Sequence, residues 1–310
     1  MINNNILTGV AGALIAVLSW GGMFPIAKVI LSHIDAFYMT LIRYVITATV
    51  FIVLLAALEG KSALKFDGKF LSAFIYGSFG FAGFSLLAFE GLSRSTPAHA
   101  STIAALQPLT MVFFNWAIKK IRPANFTLAC VAIALFGALL LITRGDPLHA
   151  FSGGSLFGDA LVFFGALSWV VYTLGAAKFA GWSPVRYTAL TCAPAMIAVG
   201  LITLGFTAIG YIHMPEAQAI QSVKWEMLYM IIFASILAVI GWNVAVQSLG
   251  PLNVMLFGNL IPVIVFAIGM WQGHKFQAVE FAGVALVLAA LVANNLYIRS
   301  RLASVNPGRS

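Results

Sequence analysis

Apolar stretches of about twenty residues follow one another along nearly the whole chain, and the second five repeat the first five. Leu18-Ser19-Trp20 recurs as Leu167-Ser168-Trp169, at the same place within its stretch. At that offset Tyr38 falls opposite Tyr187, and Leu41 opposite Leu190. Further along, Glu90 falls opposite Gln247, and Pro97 and Pro108 recur as Pro251 and Pro262 with unchanged spacing. An odd number of crossings sends the second copy into the membrane upside down relative to the first. Inverted repeats of this kind mark secondary transporters, whose substrate site lies near mid-membrane between the repeats.

Only 8% of the residues are charged and 61% are hydrophobic, whereas soluble domains carry about 25% charged residues. The surface is therefore built for lipid. The spans read as roughly 7–30, 35–58, 69–91, 96–118, 124–143, 156–178, 184–208, 226–248, 251–272 and 277–298. Their length and lack of alternation predict helices rather than barrel strands. The fold class expected is an all-α integral membrane protein, with ten transmembrane helices as two inverted five-helix repeats around a central cavity. The first repeat is expected over residues 1–148 and the second over 149–310. The first stretch reads as a retained helix and not a cleaved signal peptide.

The formal net charge is +8, and its placement explains it. With the N-terminus inside, Lys61, Lys65, Lys69, Lys119, Lys120, Arg122, Lys178, Arg186, Arg299, Arg301 and Arg309 fall on the inner side. Lys28, Arg94, Arg144, Lys224 and Lys275 fall outside. The excess of Lys and Arg on the inner side predicts two cytoplasmic termini. Nucleic acid is not needed to explain the basic balance. Cys130 and Cys192 both fall inside spans, with no metal-ligand spacing.

Pro108 and Pro262 lie inside spans, where each removes a helix hydrogen bond, so both are candidate hinges. Trp20 and Trp169 lie slightly past the midpoints of helices that run in opposite directions, too deep for an interfacial belt. They either bracket a flat or apolar substrate or pack the core; Tyr172 shares a face with Trp169. Polar side chains at His99, Thr102, Gln107, Asn243, Gln247, Asn253 and Asn259 must find partners inside the bundle. As a set they suit a cavity lining. No acid lies at the centre of a span, and Glu90, Asp159 and Glu280 sit near span ends. Arg43 is the deepest basic residue, positioned either to pair with Glu90 or to reach the outer interface. The missing central carboxylate argues against proton-coupled export of large organic cations. No catalytic signature, phosphate loop or metal-ligand run is present, so no enzyme, cofactor or metal is expected.

The Leu-Ser-Trp-Gly-Gly-Met-Phe-Pro stretch of the first span, Leu-Gln-Pro-Leu in the fourth and the five-plus-five repeat resemble the EamA family of the drug/metabolite transporter superfamily. Within it the chain is similar to YddG-type exporters of aromatic and other neutral amino acids, a likeness that Gly241-Trp242-Asn243-Val244 shares. The resemblance implies a basket of ten helices around a cavity. The corresponding positions here are Trp20, Tyr76, His99, Thr102, Gln107, Trp169, Tyr172, Asn243 and Asn259. It also implies a bacterial inner-membrane location and a small-molecule substrate, with amino acids foremost. Gln107 stands where relatives often have an aromatic residue, which weakens the case for aromatic selectivity. The competing substrates are nucleotide sugars, organophosphates or drugs, and a membrane enzyme acting on lipid-linked substrates is the outlying alternative. The residues leave monomer or homodimer open.

Overall fold

The computed structural model describes residues 4–120, 122–144, 146, 155–250, 253–254 and 257–305, and among them every regular element is a helix. The junction around residue 149 and Pro251 lie outside the described residues. In chain order the helices are α1 (Asn4–Ile30), α2 (Ala36–Glu59), α3 (Phe70–Ser93), α4 (Pro97–Ala104), α5 (Gln107–Lys119) and α6 (Asn125–Thr143). There follow α7 (Ser155–Phe179), α8 (Pro184–Ala208), the short α9 (Ala217–Ser222), α10 (Lys224–Leu249), α11 (Leu260–Trp271) and α12 (Ala278–Val305). Seven of them, α1, α2, α3, α6, α7, α8 and α10, are long and apolar enough to cross a membrane. The expected fourth span is split into α4 and α5, and of the ninth the described residues give helix at 253–254 and 257, a turn at 258–259 and then α11.

Local chemistry sets the helix ends. Asp35 Oδ1 accepts from the N–H groups of Phe37 and Tyr38, both at 2.9 Å, and starts α2. Gly60, at φ 81°, ends it, a conformation that glycine adopts without strain. Thr96 caps α4 ahead of Pro97, and Ser183 caps α8 ahead of Pro184, each proline sitting where a missing N–H costs nothing.

The packing of the helices exchanges under a swap of the two halves. Helix α1 lies along α10, and its repeat counterpart α7 lies along α3. Helices α2 and α8 pack on each other, as do α6 and α12. Helix α11 touches α1, and α4 and α5 touch α7. The swap reaches single residues. A Cβ on Gly9 would lie 2.8 Å from Ser248 Cβ, while one on Gly158, its counterpart, would lie 2.6 Å from the Gly91 carbonyl oxygen. Gly12 and Gly241 meet backbone to backbone, so a side chain on either would force α1 and α10 apart.

Both α3 and α10 carry a π-helical stretch, at Ser78–Gly83 and Met230–Leu237. These two helices are repeat equivalents, so the irregularity is shared by both halves. Large apolar side chains on the outer faces are exposed, among them Leu18, Leu71, Phe136 and Leu201. That coat suits hydrocarbon.

Candidate functional site

The central cavity draws its walls from both halves: Trp20, Met23 and Phe24 of α1, Arg43 and Tyr44 of α2, Phe84 of α3, and Trp169 of α7. Ala234, Val239 and Trp242 come from α10, Ala104, Ala105, Gln107 and Pro108 from the α4–α5 break, and Gly258 and Ile261 from the start of α11. In this conformation the cavity is narrow, with room for a few waters rather than a whole metabolite.

Trp20 and Trp169, the repeat equivalents, touch each other edge to face at 5.4 Å between ring centroids. A residue that contacts its own counterpart lies on the axis relating the halves. Trp242 completes the group, 5.1 Å from Trp20. Trp20 Nε1 donates to the Ala234 carbonyl at 2.9 Å. That carbonyl lies in the π-helical stretch, where the Ala238 N–H bonds the carbonyls of Phe233 and Ser235 and not that of Ala234. The irregular backbone of α10 thus holds the ring that lines the cavity.

The α4–α5 break exposes main-chain acceptors. Pro108 has no N–H, and the Leu106 and Leu109 N–H groups turn back to Ile103 and Leu106, both at 3.0 Å. The carbonyls of Ala104 and Ala105 accept no backbone hydrogen bond, and both residues line the cavity. The break falls just before Pro108, at the second position of α5. Pro262 likewise sits in the first turn of α11, after a turn in which Ile261 N bonds the Gly258 carbonyl at 3.0 Å. The prolines start new helical segments and do not bend continuous ones.

Arg43 departs from both expectations. It is 1% exposed, so it does not reach an interface. It does not pair with Glu90, which instead accepts from Arg94 Nη2 at 2.6 Å and from the Tyr211 hydroxyl at 3.2 Å. Arg43 Nη2 donates to Ser85 Oγ at 2.7 Å, and its guanidinium lies 4.2 Å from the Tyr44 ring centroid and 4.9 Å from that of Phe89. Its Nε has no partner. The residue's charge at this depth costs at least ~2.5–3.5 kcal/mol, and the neighbouring ring faces offset part of that.

A second, roomier cavity opens beside the α7–α8 connection, lined by Phe179, Trp182, Ser183, Tyr187, Asn243 and Gln247 among others. Tyr172 lies between the two cavities: its ring is 5.0 Å from Trp169 on one side and stacks at 5.0 Å on Tyr187 on the other. Asn243 Nδ2 donates to the Tyr172 hydroxyl at 2.9 Å and to Thr188 Oγ1 at 2.7 Å, which fixes the divider.

The structure thus brings Trp20, Gln107, Pro108 and Trp169 together in one cavity, with Asn243 in the other and Tyr172 between them. The remaining candidates lie elsewhere. His99 Nδ1 lies 3.2 Å from Asp159 Oδ2, and Ser95 Oγ donates to the other oxygen of that buried carboxylate. Thr102 bonds back to the Ala98 carbonyl at 2.8 Å. Tyr76 packs on Phe179 and under the Lys178 ammonium. Asn259 is buried beside Gly258 with Oδ1 unpartnered. The sequence reading overlooked Tyr44, Phe84 and Trp242 as wall residues. Trp242 had a signal, being a tryptophan one position before the polar Asn243.

Comparison with known proteins agrees with the architecture. The model of the EamA-like transporter family matches the chain twice, over residues 7–143 and 156–296, once in each half. The uncharacterized transporter YrdR of Bacillus subtilis is 33% identical over 303 residues, covering 96% of this chain and 94% of that protein. The uncharacterized inner membrane transporter YicL of Salmonella typhimurium is 24% identical over 306 residues, 94% of this chain and 97% of its own. A crystal structure with a TM-score of 0.69 and 20% identity covers 95% of this chain and 99% of its own, which extends the likeness to the fold. These relatives carry no substrate in their names, so the narrower likeness to YddG-type exporters rests on sequence motifs alone. The chain is a multi-pass membrane protein and a transporter rather than an enzyme, and it belongs to the EamA-like transporter family.

Proposed function

We propose that the protein is a secondary transporter that exports small metabolites, foremost neutral amino acids, across the bacterial inner membrane by alternating access. The reading takes ten crossings in two inverted five-helix units, residues 1–148 and 149–310, with both termini in the cytoplasm. Supporting it are the exchange of helix contacts between the halves, the excess of Lys and Arg on the inner side, and a relative named as an inner membrane transporter. One observation carries it: a cavity walled by both halves, with Trp20 and Trp169 in contact on the axis between them.

The chemistry of the walls fits an amino acid. Trp20, Trp169, Trp242 and Phe84 offer an apolar surface for the side chain, and the free carbonyls of Ala104 and Ala105 can accept from an ammonium group. A substrate larger than a few waters requires the walls to part, and the segment boundary at Pro108 is where the fourth crossing can bend. In the proposed orientation the roomier cavity behind Tyr172 faces the cytoplasm and serves as the entry vestibule.

The test is counterflow in proteoliposomes loaded with unlabelled phenylalanine, threonine or methionine, following labelled uptake with and without a pH gradient. Accelerated exchange of at least one of them supports the reading. Well-folded protein that exchanges none would remove the amino-acid class.

A further inference from the structure

Resting on that transport reading, we infer that Arg43 is the subsite for a substrate carboxylate, so the protein carries small monocarboxylates with an apolar or aromatic body. The ion pairs among the described residues join Arg94 to Glu90, His99 to Asp159, Arg144 to Glu280 and Arg186 to Asp67. None includes Arg43. An arginine side chain keeps its charge in proteins, and this one is buried on the cavity wall with Nε unpartnered. The hydroxyl that accepts from its Nη2, Ser85 Oγ, is neutral. The chain supplies a guanidinium with donors to spare and no anion to match it. A ligand in the cavity would supply one.

Symmetry strengthens the case. At the offset that sets Trp20 opposite Trp169, Arg43 falls opposite Cys192, which is buried and neutral. Helix packing, π-helical stretches and the Trp20–Trp169 pair are shared by the two halves, but the charge is not. A device of the shared scaffold would be present twice, whereas a feature that reads the chemistry of one asymmetric substrate need occur only once. A single guanidinium offers one charge and a bidentate fork, the match for a carboxylate. The surrounding Trp20, Phe24, Phe84, Trp169 and Trp242 suit an apolar body and not a sugar phosphate.

The experiment compares four probes of one shape in counterflow: phenylalanine, 3-phenylpropionate without the ammonium, phenylalaninamide without the carboxylate, and phenethylamine. Wild-type protein is expected to exchange the two carboxylates and neither amine. Arg43→Gln is expected to lower exchange of both carboxylates at least tenfold, and Arg43→Lys to lower it less. Thermal unfolding separates this from a folding defect. Without ligand, Arg43→Gln protein should unfold at or above the wild-type temperature, because an uncompensated charge has been removed. 3-Phenylpropionate should raise the unfolding temperature of the wild type alone. Exchange of phenylalaninamide as fast as phenylalanine, or unaltered exchange by Arg43→Gln, would overturn the assignment while leaving amino-acid transport standing. Exchange of 3-phenylpropionate but not phenylalanine, lost in Arg43→Gln, would uphold Arg43 and remove the amino-acid reading. Exchange of phosphorylated compounds only, or of none of the four probes, would overturn the carboxylate subsite.

Discussion

Two polar regions are buried in this bundle, and they treat charge in opposite ways. At the α1, α3, α4 and α7 ends, Asp159 takes bonds from Ser95 and His99. Beside it the Lys28 ammonium donates to the carbonyls of Leu92, Ser93 and Ser95 at 2.8, 3.0 and 2.7 Å, neutralising the C-terminal end of α3. His99 Nε2 is the atom of this knot left without a partner. In the central cavity Arg43 has no acid, Trp242 Nε1 has no acceptor and two carbonyls have no backbone donor. Charge satisfied within the chain fastens helices together. Charge left open beside a cavity is available to a ligand.

Substitutions break or sharpen that contrast. Trp169→Ala has the largest expected effect: it empties a 4%-exposed site packed against Trp20, Phe84 and Tyr172. Unfolding in detergent should show a loss of about 3–5 kcal/mol, and counterflow should fall with it. Asp159→Ala comes next. It strands Ser95 and His99, costing about 1–3 kcal/mol, and should leave the relative rates among exchanged substrates unaltered in the same counterflow assay. A change in substrate preference in this variant would erase the distinction between knot and cavity.

Asn243→Ala frees the Tyr172 and Thr188 hydroxyls, and interhelical bonds of this kind are worth about 0.6–2 kcal/mol. Its stability loss should be small, but loosening the divider should raise leak of substrate from loaded vesicles. Glu280→Gln is expected to do least. The pair it breaks with Arg144 spans 3.5 Å and its arginine is 36% exposed, and although Glu280 is itself 3% exposed, a glutamine oxygen still accepts from the Gln277 N–H, so about 0–1 kcal/mol is lost on thermal unfolding.

The features legible in the sequence are those that stand out locally against an apolar background. Trp20 with Trp169, and Pro108 with Pro262, are rare residues repeated in register, and they mark both the duplication and part of the cavity wall. Arg43 was visible but not interpretable, because seven residues into a helix is equally compatible with a snorkelling side chain and a buried one. Only the packing of α2 against α3 and α10 decides it. Asp159 read as a residue near a span end, and its burial depends on α4 lying across the start of α7. On an unbroken fourth span His99 would share a helical face with Gln107 and so reach the cavity. The break at Ala105 and Leu106 uncouples the two segments. The π-helical stretches have no residue pattern that announces them.

The most direct test of the cavity as the substrate path uses a single thiol. In protein lacking Cys130 and Cys192, Gln107→Cys places a thiol on the cavity wall and Leu201→Cys places one on the exposed outer face. The account predicts that an exchanged substrate slows modification of the Gln107→Cys thiol by a small methanethiosulfonate reagent, and that this modification stops counterflow, whereas the Leu201→Cys thiol is indifferent to substrate. Unprotected labelling of Gln107→Cys with counterflow intact would contradict it.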